Sequence, residues 1–246
     1  MSALATLTRV EISLLLREPA AVLFTLGLPL VLLALNGGQG NAPQAARGGR
    51  GIVDVIVPGL LVYVLATLAV MTLPETLADY RDRGILRRYR VTPLRSWQVL
   101  GSHACTQLAV GTTSAVLLVV LATVAFDLSA PASWPALLVA YAASAACLLG
   151  LGFLLGAVLP TVRTTQAVAA GLYFPAIFLS GAVWPTEALP DLAQTLGRAL
   201  PLTYAVDALR GAWSEGSVDL VAVGVLAATT AAATALALRL FRWEPR

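Results

Sequence analysis

The chain has 246 residues, of which 58% are hydrophobic and only 12% charged, about half the charge share of a soluble domain. Its net charge of +3 comes from Arg without a single Lys, too weak a basic balance to suggest a nucleic-acid partner, and six long uncharged runs leave too little polar surface to cover a soluble core. These proportions predict an all-α integral membrane protein of about six transmembrane helices.

In chain order, Ser2 to Glu18 alternates Leu and Ile with Arg and Glu. Leu7, Val10, Leu14 and Leu15 then share one side of an interfacial amphipathic helix over residues 1–18. Pro19 suits the first turn of the next helix, where its missing N–H costs nothing, and the first span runs to about Leu35. A signal peptide would also place Arg9 and Arg17 ahead of an apolar stretch; Glu11, Glu18 and the five spans behind favour a retained helix. A Gly-rich loop, Asn36 to Arg50, leads to a second span over about Ile52 to Leu73 and then to a polar region, 75–96. The third span lies within Val99 to Phe126 and, through a short turn over Asp127 to Pro135, forms an antiparallel pair with the fourth, Ala136 to Leu159.

In the fourth span Gly152 and Gly156, with Gly150 and Ala145 nearby, allow a close helix approach, and packing within the chain is favoured over a subunit contact. The fifth span, Thr165 to Val183, is interrupted by Gly171, Pro175 and Gly181. Residues 184–219 are too apolar for a solvated loop and too broken by Pro185, Pro190 and Pro201 for one span. They predict two short helices, Asp191 to Leu200 and Thr203 to Trp213, dipping back into the outer leaflet with their irregular backbone shielded by protein. The last span, Leu220 to Leu240, closes with Arg239, Arg242 and Trp243 as an interface anchor.

Basic residues orient the spans. With both termini inside, twelve of the 16 basic residues are cytoplasmic, the largest group lying between Arg81 and Arg95, and only Arg47, Arg50, Arg198 and Arg210 are outside. Cys105 and Cys147 fall within spans, where cysteine behaves as a small apolar residue, and no cysteine pattern indicates a disulfide framework or a metal site.

Two segments are more specific than hydropathy. The stretch Tyr80-Arg81-Asp82-Arg83-Gly84-Ile85-Leu86-Arg87-Arg88-Tyr89-Arg90-Val91-Thr92-Pro93-Leu94 has more charge than an anchor requires, and Ile85, Leu86, Tyr89 and Leu94 give a short helix an apolar side with which to dock. The second segment runs from Tyr173-Phe174-Pro175 through Ser180-Gly181, Trp184-Pro185 and Leu189-Pro190 to Leu200-Pro201-Leu202-Thr203-Tyr204-Ala205-Val206-Asp207-Ala208-Leu209-Arg210-Gly211. Over nearly its whole length the chain resembles the membrane permeases of type 2 ABC exporters, a group that includes daunorubicin-resistance permeases and polysaccharide exporters.

The resemblance implies one transmembrane domain over 1–246, acting as the permease subunit of an ATP-driven exporter in a bacterial plasma membrane. The implied cargo is hydrophobic or amphipathic and drug-like, with polysaccharide or lipid-linked glycan as the alternative. Arg81, Asp82, Arg83, Gly84, Leu86, Arg87, Arg88, Tyr89, Thr92 and Pro93 correspond to the family's coupling helix, which docks on a separate nucleotide-binding subunit; Asp82 stands where many relatives have Glu. Pro185, Pro190, Pro201, Tyr204, Asp207 and Arg210 fall in the re-entrant outer gate. A second copy, or a homologous permease, would complete the path, for which Tyr63, Thr67, Thr72, Thr165, Gln166, Tyr173 and Phe174 are the candidate lining residues. Membrane lipid is the surrounding partner, and no cofactor is expected on this chain.

The residues support that division of labour independently. A P-loop requires a Lys that reaches the terminal phosphates, and this sequence has none, so ATP and Mg are expected on the partner subunit. Glu75 and Asp79 are expected to pair with Arg81, Arg83 or Arg163, because unpaired ions near the membrane are costly, and Asp207 with Arg210, three residues on. An intramembrane enzyme is the rival of another class, yet His103, the single histidine, has no nucleophile or carboxylate cluster at a recognisable spacing and reads as a satisfied interfacial histidine. A scaffold or channel without an ATPase is the other rival, and a neighbouring ABC ATPase reading frame would discriminate.

Overall fold

The computed structural model describes residues 23–38, 41–43, 49–84, 96–184 and 189–240, and every regular element among them is a helix. A π-helical turn, Leu23–Gly27, enters α1, Leu28–Gly37. Next comes α2, Ile52–Ala66, which passes through a second π turn, Thr67–Thr72, into α3, Leu73–Asp82. The remaining helices are α4, Ser96–Phe126; α5, Trp134–Val158; α6, Val162–Leu179; α7, Asp191–Gly197; α8, Pro201–Ser214; and α9, Leu220–Leu240.

Four stretches are long and apolar enough to cross a bilayer: Ile52–Asp82, Leu100–Phe126, Trp134–Val158 and Leu220–Leu240. Thr25–Gly37 is a shorter apolar helix, and α6 carries Arg163 and Gln166 in its first turns. The stretch Ile52–Asp82 is the core. Its most apolar window is 78% buried, against 22% to 44% for the other three, whose outward residues, such as Val116, Val120 and Val124 on α4 and Leu236 and Leu238 on α9, offer apolar faces of the kind lipid covers. The second span was expected to end near Leu73. The helix continues to Asp82 because Pro74 occupies the first turn of α3, where proline needs no N–H partner, and stops at Gly84, whose φ of +67° provides the left-handed C-terminal turn.

Small residues set the spacing between helices. A Cβ on Gly152 would lie 1.8 Å from the Ala69 carbonyl oxygen inside the second π turn, and one on Gly156 would lie 2.8 Å from Leu77 Cδ1. The Gly152 and Gly156 pair therefore serves packing within the chain. On the other side Gly150 faces Ala233 and Thr230 of α9, and α9 lies along α5.

Polar groups tie the two ends of the bundle. At one end Asp54 accepts from Asn41 Nδ2, Gly51 N and, at 2.9 Å, Ser129 N, and Ala132 N donates to Trp213 O at 2.8 Å. That set gathers the N-terminus of α2, the turn between α4 and α5, and the end of α8. Arg81 and the start of α6 lie at the opposite end.

Candidate functional site

The expected path residues divide into an interior cluster and a surface set. Thr67 and Tyr173, on the second π turn and α6, are 5% and 4% exposed, and their hydroxyls lie 2.6 Å apart. Thr67 Oγ1 already donates to Tyr63 O at 2.9 Å, so its one proton is committed and Tyr173 is the donor between the two hydroxyls. The Tyr63 and Tyr173 rings meet edge to face at 6.1 Å, and Tyr173 and Phe174 at 5.4 Å, both favourable aromatic geometries.

Phe174 is 46% exposed and carries this cluster to the surface. Gln166 is exposed and donates to Glu75 Oε1 across the α3–α6 contact. Thr72 is half-buried, its carbonyl accepting from Thr76. Thr165 is fully buried and returns its hydroxyl to Thr161 O at 2.8 Å. Tyr63, Thr67, Tyr173 and Phe174 thus form one group, Glu75 and Gln166 a second, and Thr165 belongs to its own helix. Between α2 with its π turn, α4 and α5, a cavity of about 10 Å³, bounded by Leu65, Ala69, Gln107 and Ala145, has room for one water at most.

At the Arg81 end, side chains bind helix termini. Arg81, 4% exposed, donates through Nη1 to Leu159 O at 3.0 Å and through Nη2 to Gly156 O. Those carbonyls belong to the last turn of α5 and the residue after it, where helix geometry leaves acceptors without partners. The neighbouring Asp82 Oδ2 accepts from Val162 N at 3.2 Å, the first amide of α6, whose N-cap is Thr161. Arg83 pairs with Asp79 at 2.8 Å on the surface, one of the expected pairings, while Glu75 takes an amide instead. Gly84 ends the helix. Leu86, Arg87, Arg88, Tyr89, Thr92 and Pro93 lie outside the described residues, as do the amphipathic segment 1–18 and Pro185.

In the segment after α6, Pro201 opens α8 and Pro190 precedes α7. Tyr204 is half-buried and Asp207 exposed. Arg210 donates to Gly181 O at 2.7 Å, and Thr203 Oγ1 to Gly197 O. A Cβ on Gly59 would stand 2.4 Å from Ala182 O and one on Gly197 2.5 Å from Leu179 O, so this segment packs backbone to backbone against α2 and the end of α6. Sequence reading missed Gly59 and Gly197, since a single glycine carries no spacing signal. It missed the inward direction of Arg81 too, although Leu73, Leu77 and Arg81 recur every four residues and are all buried. His103 is 2% exposed and packs edge to face on Tyr80 at 5.2 Å.

A family model described as ABC-2 type transporter matches residues 2–213. Over 168 residues the chain is 26% identical to the probable multidrug ABC transporter permease YbhR of Escherichia coli (strain K12), an alignment covering 68% of this chain and 45% of that protein. It is 21% identical over 211 residues to ABC transporter G family member 20 of Dictyostelium discoideum, covering 85% of this chain and 29% of the relative. Nodulation protein J of Sinorhizobium fredii is 32% identical over 148 residues, 50% of this chain and 51% of that one. The chain spans about half the length, or less, of these curated relatives.

Proposed function

The chain belongs to the ABC-2 type transporter family, and from that premise we propose that it is the membrane-spanning permease subunit of an ATP-driven exporter of a hydrophobic or amphipathic, drug-like substrate. The observation that carries this reading is the family match itself: it includes the basic segment that follows directly on Ile52–Asp82, the most enclosed helix of the bundle. In this reading that segment is the contact for a separate ABC ATPase, which holds ATP and Mg, and the chain does no chemistry of its own.

Thr25–Gly37 and α6 supply the two further membrane helices that bring the count to six. The segment containing α7 and α8 dips back into the outer leaflet as a gate, and both termini are cytoplasmic, in a bacterial plasma membrane. Two copies, or this chain and a homologue, enclose the path, with the Tyr63–Thr67–Tyr173–Phe174 group and the Glu75–Gln166 pair on the α6 side facing it. Export of a polysaccharide or lipid-linked glycan through the same frame is the second reading. The relatives include one named for multidrug transport and one named for nodulation, so the frame is shared by proteins named for different roles.

The test is co-purification with an ABC ATPase encoded beside it, followed by reconstitution in vesicles. ATP-dependent uptake of a fluorescent anthracycline into inside-out vesicles, with stimulated hydrolysis, supports the drug-like reading. Hydrolysis stimulated by lipid-linked glycan and not by the anthracycline moves the assignment to the second reading. Failure to associate with any ATPase sinks both.

A further inference from the structure

We infer that Arg81 and Asp82 are positioning residues that fasten the α5–α6 corner to the end of the second membrane helix, and that they act inside the subunit instead of on the face offered to the ATPase. The inference rests on the permease reading above and adds the path by which displacement of one helix reaches two others.

The charges are matched to what they touch. An α-helix ends with acceptors and partial negative charge at its C-terminus and begins with donors and partial positive charge at its N-terminus. Arg81 places its cation on the carbonyls of Gly156 and Leu159 at the end of α5, and the adjacent Asp82 places its anion on the Val162 amide at the start of α6. Only Leu159, Pro160 and Thr161 separate the two helices, so two consecutive residues hold both sides of one tight corner.

Apolar packing supports the same joint: Gly156 has no Cβ, and a Cβ there would meet Leu77 on the buried stripe that ends in Arg81. Arg81 Nε has no partner among the described residues, leaving the two Nη bonds as the side chain's hydrogen-bonding anchors. Surface contacts are weaker than the buried Arg81 anchors: Arg83, paired with Asp79, is 71% exposed, and the Asp82 contact to the Val162 amide is itself exposed. The end of the second membrane helix is therefore tied to α5 and α6 by Arg81 and Asp82, together with the Leu77–Gly156 contact and the Gln166–Glu75 bond.

The experiment uses the full chain with its ATPase in vesicles, in a C105S/C147S background, with spin labels at R83C and A167C or at A167C and L236C. Distances are measured by double electron–electron resonance without nucleotide and with vanadate-trapped ADP, on complexes that have trapped nucleotide. In the parent the first pair keeps its separation on trapping while the second changes, because the corner moves with the second helix and against α9. In R81M or D82A the order reverses: the first pair changes its separation on trapping, and the response of the second is lost. D82N, which keeps an acceptor for the Val162 amide, behaves as the parent.

If R81M does not fold, D82A against D82N decides the matter. Parent-like responses in R81M or D82A overturn the inference, as does a first pair that moves on trapping in the parent. A parent complex that traps no nucleotide overturns the permease reading itself, which distinguishes the two failures.

Discussion

Among single residues, the Thr67–Tyr173 contact makes an asymmetric prediction. Tyr173→Phe removes the donor but leaves Thr67 Oγ1 bonded to Tyr63 O, so the loss is expected to be below about 1 kcal/mol, as for most hydrogen bonds between membrane helices. Thr67→Val preserves shape but strands a buried hydroxyl donor, which costs about 1–3 kcal/mol. Thermal unfolding in detergent should rank the parent first, Tyr173→Phe next and Thr67→Val last; the reverse order of the two variants would show that the hydroxyl pair is not the controlling contact. The sequence marked both residues as candidate lining of a transport path, being polar or aromatic groups in apolar spans. It had no means of pairing them, since the partners are 106 positions apart. Arg81 is the opposite case: its charge was conspicuous among neighbouring arginines, and only its place on the Leu73–Leu77 stripe distinguishes it as inward-facing.

At the level of elements, glycine placement outweighs hydrogen bonding. Gly152→Leu would drive a side chain into the Ala69 carbonyl across the α5–π-turn contact; overpacking of this kind costs about 1–3 kcal/mol or more, so it should lower the unfolding temperature more than Tyr173→Phe does. Gly171→Leu meets open space within the chain and is expected to leave unfolding unchanged, a control for insertion of bulk as such. The glycine pattern in α5 was legible because it repeats. The course of α6 was not: Pro175 was expected to interrupt it, but the helix runs through the proline to Leu179 and turns at Gly181, where φ is +80°. A proline within a span removes one hydrogen bond and can bend a helix without ending it, whereas the positive φ demands a glycine and reverses the chain. Helices α7 and α8 fall close to their expected limits because Pro190 and Pro201 mark their starts.

For the molecule as a whole, the charge distribution predicts sidedness. Single cysteines at Thr195 or Ser129, in the C105S/C147S background, should react with a membrane-impermeant maleimide from outside, and one at Arg83 only after the inner face is opened; reagents reaching the first two only from the cytoplasm would invert the topology. Changing Arg87, Arg88 and Tyr89 together to Ala should preserve membrane insertion but remove substrate stimulation of the partner's hydrolysis, and retained stimulation would argue against that segment as the contact. The π turn at Thr67–Thr72 bears on both halves of the helical stretch Ile52–Asp82. A π turn takes up about one residue more than an α turn, and one residue is about 100° of rotation in a helix of 3.6 residues per turn. The turn therefore absorbs one extra residue while keeping the phase between Tyr63 on one side and Arg81 on the other. Deleting one residue there would let the turn close as an ordinary α turn and leave Arg81 aimed at the α5 carbonyls, whereas deleting one within the α-helical stretch Leu73–Asp82, ahead of Arg81, would swing it about a quarter of a revolution away. A single-codon deletion, which hydropathy alone would score alike at either place, is in that case absorbed at the π turn and, a few residues further on, disconnects Arg81 from α5.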